Sequence, residues 1–312
     1  MTVDLLPNEL LLDIFDFYQV DASDPSGLPW RWHTLVHVCQ RWRQIVFASP
    51  GRLDLQLVCT PRTRVKELLD SVPPMPIVIF DSFEYPPPDP TPSLGDGSQI
   101  VPAFEQYDSV CCIQLGPLPS VFLEKITPVM QQTFPNLEHL GLWAGDASAP
   151  VLPDSFLGGS APLLEILWLK GIPFPGAPKL LSTTPNLVQL QLENIPDSGF
   201  FSPEAMITSL STCPNLESLV IGFLSPYPHP DLTSQQSSML TRASLPDLIN
   251  FGFKGNGGYL RILAPGIENV LLTLDSTILS VDKSVNYEAS LTSSGFKFSF
   301  QDDRLEDLGE EA

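Results

Sequence analysis

The sequence predicts an α/β protein: a small helical module at its amino end, then an irregular solenoid with parallel strands on one face and short helices on the other. Three observations carry that prediction. A phrase of the form Pro-x-Leu-x-x-Leu-x-Leu recurs through the middle of the chain. Its apolar positions alternate as in a strand, whereas the first fifty residues show helical spacing instead.

The clearest copy of the phrase is Thr184-Pro185-Asn186-Leu187-Val188-Gln189-Leu190-Gln191-Leu192. Aligned on their first leucine, the copies begin at Leu137, Leu164, Leu187, Leu216 and, with phenylalanines, Leu248, and a weaker one begins at Ile267. The steps between them run from 19 to 32 residues, scattered around the period of about 20–29 residues of leucine-rich repeats, which the body resembles. About six to seven such units are expected over residues 101–301, the first strand of them at Val110-Cys111-Cys112-Ile113-Gln114-Leu115.

Composition narrows the partners. Thirty-six acidic residues against 16 basic give a net charge of −20, so a nucleic acid or an anionic membrane is excluded as principal partner, since both are bound by neutralising phosphates with Lys and Arg. The charge is uneven: residues 1–70 carry nine acids and seven bases, and nearly all of the excess lies beyond them. Five cysteines, Cys39, Cys59, Cys111, Cys112 and Cys213, show no Cys-x-x-Cys spacing and read as reduced thiols. No signal segment, membrane-spanning run or Asn-x-Ser/Thr acceptor is present, which points to a cytoplasmic or nuclear protein.

The amino-terminal module spans residues 1–50. Pro7 suits a first helical turn, and Leu10, Leu11, Ile14, Phe17 and Tyr18 fall on one stripe, with Leu6, Leu12 and Phe15 outside it. A helix apolar on more than one face either fills a three-helix core or keeps a face for a partner. After the loop 19–29, a helix over 30–47 places Leu35, Val38, Cys39, Trp42 and Ile45 together. Leu6-Pro7-x-Glu9-x-Leu11-x-x-Ile14-Phe15 followed by Leu35-x-x-Val38-Cys39-x-x-Trp42-Arg43 resembles the F-box, so the whole chain resembles the F-box/leucine-rich-repeat proteins. The resemblance implies docking on a Skp-type adaptor of a cullin-RING (SCF) ubiquitin ligase through Leu6, Pro7, Leu11, Ile14 and Phe15, with Trp42 in support. It also implies that the repeats present an unidentified target protein. The alternative is a repeat scaffold without a ligase role.

Residues 51–100 connect and cap: strands over 53–58 and 75–80, a helix over 65–72, and a proline-rich loop over 84–99 with a lesser reading as a polyproline ligand. A helical stretch follows over 120–132, and Ser202 caps a helix that opens with Pro203 and Glu204. A polar insertion occupies 225–244, Phe296, Phe298 and Phe300 alternate in a last strand, and residues 302–312 form an acidic tail expected to be disordered. Period-two alternation sends Leu187, Leu190 and Leu192 inward and Gln189, Gln191 and Glu193 to the concave face. The same rule exposes His139, Gly141 and Trp143, then Ile166, Trp168 and Lys170, then Ser218, Val220 and Gly222, then Asn250, Gly252 and Lys254. Trp143, Ile166 and Trp168 form an apolar patch there, either for a target or beneath the proline loop or the tail. His33 and His37, four apart, lack the glutamate and third ligand of a zinc site and read as structural. No catalytic or phosphate-binding motif occurs, so neither an enzyme nor a cofactor or metal site is expected.

Overall fold

The computed structural model describes residues 6–19, 32–61, 63–81, 99–224, 242–267, 286–292 and 295–301. Several expectations fall outside them: the loop 19–29 beyond Gln19, nearly all of the proline-rich segment, most of the 225–244 insertion, the copy after Ile267 and the acidic tail. The side chains of Tyr18, His33 and the phenylalanines at 296, 298 and 300 lie outside them too.

The first helix, α1 (Asn8–Gln19), starts behind Pro7, whose carbonyl accepts from the Leu11 N–H at 3.2 Å. Arg41 holds this end by donating to the Leu6 carbonyl and, at 2.8 Å, to Asn8 Oδ1. Leu11 and Phe15 are fully buried, and Leu6 and Leu12 pack partly against the same core. The expected stripe is thereby split: Leu10, Ile14 and Phe17 face solvent. The helix is apolar around most of its girth, and the side that meets Trp42, whose ring centroid lies 4.8 Å from that of Phe15, becomes the core.

The single helix expected over 30–47 is two, α2 (Trp32–Val36) and α3 (Gln40–Ala48). Cys39 is extended at φ −158° and ψ 168°, and Arg43 Nε reaches back to the Val36 carbonyl at 3.1 Å, satisfying an orphan acceptor at the end of α2. Val38 and Cys39 are consequently exposed and do not share the buried face of Leu35 and Ile45. His37 falls in the break, one residue past the end of α2.

Leu53 and Leu55 are buried where the chain turns through Asp54, which sits at φ 43°, and the expected strand shrinks to β1 (Leu57–Cys59). Trp32 Nε1 donates to the Gln56 carbonyl at 2.9 Å, while Arg52 pairs with Asp13 and Asp16 of α1. One apolar core therefore runs unbroken from Leu11 and Phe15 into the sheet.

The sheet then builds in chain order. After α4 (Val65–Ser71) come β2 (Ile77–Phe80), α5 (Val101–Phe104), β3 (Val110–Leu118), α6 (Ser120–Ile126), β4 (His139–Ala144) and β5 (Ile166–Lys170). Next are α7 (Ala177–Leu181), β6 (Gln189–Ile195), α8 (Pro203–Leu210), β7 (Ser218–Phe223), β8 (Asn250–Asn256), α9 (Gly257–Leu263), β9 (Asn286–Thr292) and β10 (Gly295–Gln301). Each strand lies beside its sequence neighbours, and β1 to β8 are parallel. The last two strands reverse, pairing antiparallel with β8 and with each other.

Five copies of the repeated phrase make the same local bonds. The N–H of the first leucine closes a turn onto the carbonyl three residues earlier in Leu137, Leu164, Leu187, Leu216 and Leu248, at 3.1–3.3 Å. The next N–H then bonds the preceding unit, as in Glu165 to Glu138 at 2.7 Å and Glu217 to Val188 at 2.8 Å. Asn136 and Asn186 add side-chain bonds to the carbonyls of Asp108 and Pro162 at 2.6 and 3.0 Å. Between strands the outer segments range from a short turn at Phe156–Gly159, where Leu157 and Gly158 have positive φ, to the two-turn α8, whose Ser202 Oγ accepts from the Ala205 N–H.

Burial sorts the two faces. Leu140, Leu142, Leu167, Leu169, Leu190, Leu192, Leu219 and Ile221 are at most 2% exposed and share a core with α6, α7, α8 and α9. Among the described residues, these helices pack on that face alone. Parallel sheets are commonly covered on both sides, so a partly exposed second face is the feature that asks for a function.

Candidate protein-docking surfaces

Among the described residues, two apolar surfaces stand out after the core is assembled. The first is the outer side of α1, where Leu10 and Ile14 are each 48% and Phe17 86% exposed. They stand at i, i+4 and i+7, so they form one ridge along the helix. Of the six residues predicted to dock an adaptor, Ile14 belongs to this ridge and Pro7 is exposed just ahead of the helix, whereas Leu6 and Trp42 are half-buried. Leu11 and Phe15 are core residues that brace the helix from behind and present nothing to a partner. Leu10 and Phe17 are the surface residues that the motif alone did not single out.

The second surface is the other face of the sheet. Strand register aligns Cys112, His139, Ile166, Gln189, Ser218 and Asn250 in one row, and Gln114, Gly141, Trp168, Gln191, Val220 and Gly252 in the next. In a third row Trp143 is level with Lys170 and Glu193. All the predicted target-binding residues, Trp143, Ile166, Trp168, Gln189, Gln191 and Glu193, thus converge on one face, each of them half-buried. Toward the amino end the same face closes, since Val58 and Val78 are buried.

The tryptophans have a structural reason to be there. A side chain at Gly116 would collide with the Trp143 indole, and one at Gly141 would lie 3.8 Å from Trp168 Cε3, so each ring leans across a glycine of the preceding strand. Their centroids are 5.5 Å apart with planes tilted by 46°. Val220 leans the other way, over Gly252 of the following strand. Both tryptophans are half-buried, and the Trp168 Nε1 atom is itself buried.

Charge is distributed unevenly over this face. Lys170 Nζ and Glu193 Oε2 pair at 3.5 Å, and His139 Nε2 lies 3.9 Å from Glu165 Oε2. The turns that lead into β3, β4, β5, β7 and β8 carry Glu105, Asp108, Glu138, Glu165, Glu217 and Asp247, all exposed, and the segments 105–109, 133–138, 161–165, 183–188, 211–217 and 245–249 contain no Lys or Arg. Glu138, Glu165 and Glu217 are each the residue after the repeat's first leucine, yet their alignment emerges only when the strands are placed side by side.

Cys59 is buried, and Cys111 and Cys112 are half-buried. Burial pushes Cys59 and Cys112 up to about 12 and Cys111 up to about 11, so all three are protonated at neutral pH. Asn256, in the glycine-rich turn, caps α9 by accepting the Gly258 N–H at 2.8 Å, which gives that turn a structural role. Among the described residues, no three His, Cys, Asp or Glu side chains gather as a metal site, and no helix is long and apolar enough to cross a membrane. No model of a known protein family matches this chain, and no curated protein matches it.

Proposed function

We propose that this chain is a substrate-recognition adaptor of an SCF-type ubiquitin ligase, with an F-box-like module and a leucine-rich-repeat body whose helix-free face is concave. The observation that carries the reading is the ridge of Leu10, Ile14 and Phe17, exposed on a helix whose opposite side is locked into the core. An apolar ridge on an otherwise satisfied helix gains by burial against a partner, at about 25 cal/mol per Å² removed from water. The Skp-type adaptor is the partner implied by the surrounding motif, Leu6-Pro7 through Trp42-Arg43. The sheet face would then hold the target in a fixed relation to the ligase, because the core is continuous between the two surfaces. On this reading the chain supplies proximity and no catalytic group, needs no cofactor, and works in the cytoplasm or nucleus.

Capture by a purified Skp-type adaptor tests the proposal. Full-length chain is expected to bind, and Ile14→Asp with Phe17→Asp to abolish binding while the far-ultraviolet circular dichroism stays unchanged. Absence of binding by the unaltered chain, or binding indifferent to the double substitution, removes the ligase role. It leaves the second reading, a repeat scaffold that uses the sheet face alone, which the convergence of Trp143, Ile166 and Trp168 with the glutamines would still support.

A further inference from the structure

We infer that the sheet face and its acidic margin together hold an extended segment of the target protein in which basic and apolar residues alternate. The inference rests on the target-binding reading of this face and adds the chemistry of what is bound. Glu138, Glu165 and Glu217 immediately precede His139, Ile166 and Ser218, so the carboxylates border the row that opens the face. All three are exposed, and among the described residues Glu165 has one partner within ion-pair distance, His139 at 3.9 Å.

The spacing suits an extended chain laid across the strands. Strands are about 4.8 Å apart, so the three steps from β4 to β7 separate Glu138 from Glu217 by roughly 14 Å. In an extended peptide, residues i and i+4 are about 13 Å apart and i, i+2 and i+4 point to the same side. Lys or Arg at those positions reaches the margin. Residues i+1 and i+3 then point the other way, toward Trp168, Gln191 and Val220. There Trp168 and Val220, both half-buried, offer apolar contact and the glutamine amide offers hydrogen bonds to peptide groups. The overall charge of −20 reinforces the choice of a basic segment and disfavours a phosphorylated or nucleic-acid ligand at the same place.

Fluorescence anisotropy on the full chain tests this with three labelled peptides: alternating lysine and leucine, alternating lysine and serine, and alternating glutamate and leucine. The lysine–leucine peptide is expected to bind at least about tenfold more tightly than either of the others, and more weakly as salt is raised. Glu165→Lys with Glu217→Lys, and separately Val220→Asp, are each expected to weaken it by about tenfold or more, whereas Asp197→Lys, away from the margin, leaves it unchanged. Equal binding of the lysine–serine peptide, no binding of any peptide, or an equal loss in Asp197→Lys overturns the inference. The peptide comparison on unaltered chain stands even where a variant fails to fold. Adaptor capture through α1, measured on the same preparation, separates failure of this inference from failure of the ligase reading.

Discussion

Gly116 and Gly141 govern how much of Trp143 and Trp168 a partner can reach. Gly116 sits at φ 153°, and its missing side chain is what lets the Trp143 indole lie across the strand. Gly116→Ala is expected to displace that ring, red-shift the tryptophan emission and destabilise the fold by about 1–3 kcal/mol in urea titrations. The buried thiols set an alkaline limit. Their folded values lie above the ordinary 9.0, so the protonated form is favoured in the fold. The stabilisation is whole below pH 9 and is lost as pH rises toward 12. Thermal midpoints should hold steady to about pH 8 and fall above about pH 9, and Cys59→Ala with Cys112→Ala should flatten that fall. The repeat leucines were legible one by one, because a sheet packed on one side forces every second residue inward. What lies beneath a tryptophan was not, because its neighbour is a glycine some two dozen residues away whose register no single strand encodes.

The helices show the same limit in a different form. A helix apolar on one stripe declares its buried face, but α1 carries leucines, an isoleucine and phenylalanines around most of its circumference, and only Trp42 and the sheet decide that Leu11 and Phe15 go in. Leu11→Ala is therefore expected to cost about 2–5 kcal/mol of folding free energy, and Phe15→Ala about 3–5. Ile14→Asp and Phe17→Asp should each change stability by less than about 0.5 kcal/mol, as measured by chemical denaturation, while removing adaptor capture. The break between α2 and α3 was hidden because Leu35, Val38, Cys39 and Trp42 keep helical spacing straight through it. Where a cap is written in the sequence the fold follows it: Ser202 accepts the Ala205 N–H, and Ser202→Ala is expected to lower stability by about 1 kcal/mol.

Across the molecule, the amino-terminal helices and the sheet are one packed body. Leu53, Leu55 and Leu57 are each 1% exposed, and Trp32 and Arg52 tie the helices to them. Removing residues 1–50 would uncover that layer, so the truncated chain is expected to aggregate or to unfold at markedly lower urea than the full chain, as followed by light scattering and circular dichroism. Parallel pairing through the middle of the chain was legible from the repeats, whereas the antiparallel return of β9 and β10 lies past the last clear copy of the phrase. The strict agreement between strand order and chain order bears on how the protein is made. A strand leaving the ribosome finds its partner already synthesised, from β1 on the helical module to β10 at the far edge. Assembly can advance with translation, and the surface proposed to engage the ligase is complete before the one proposed to hold the target.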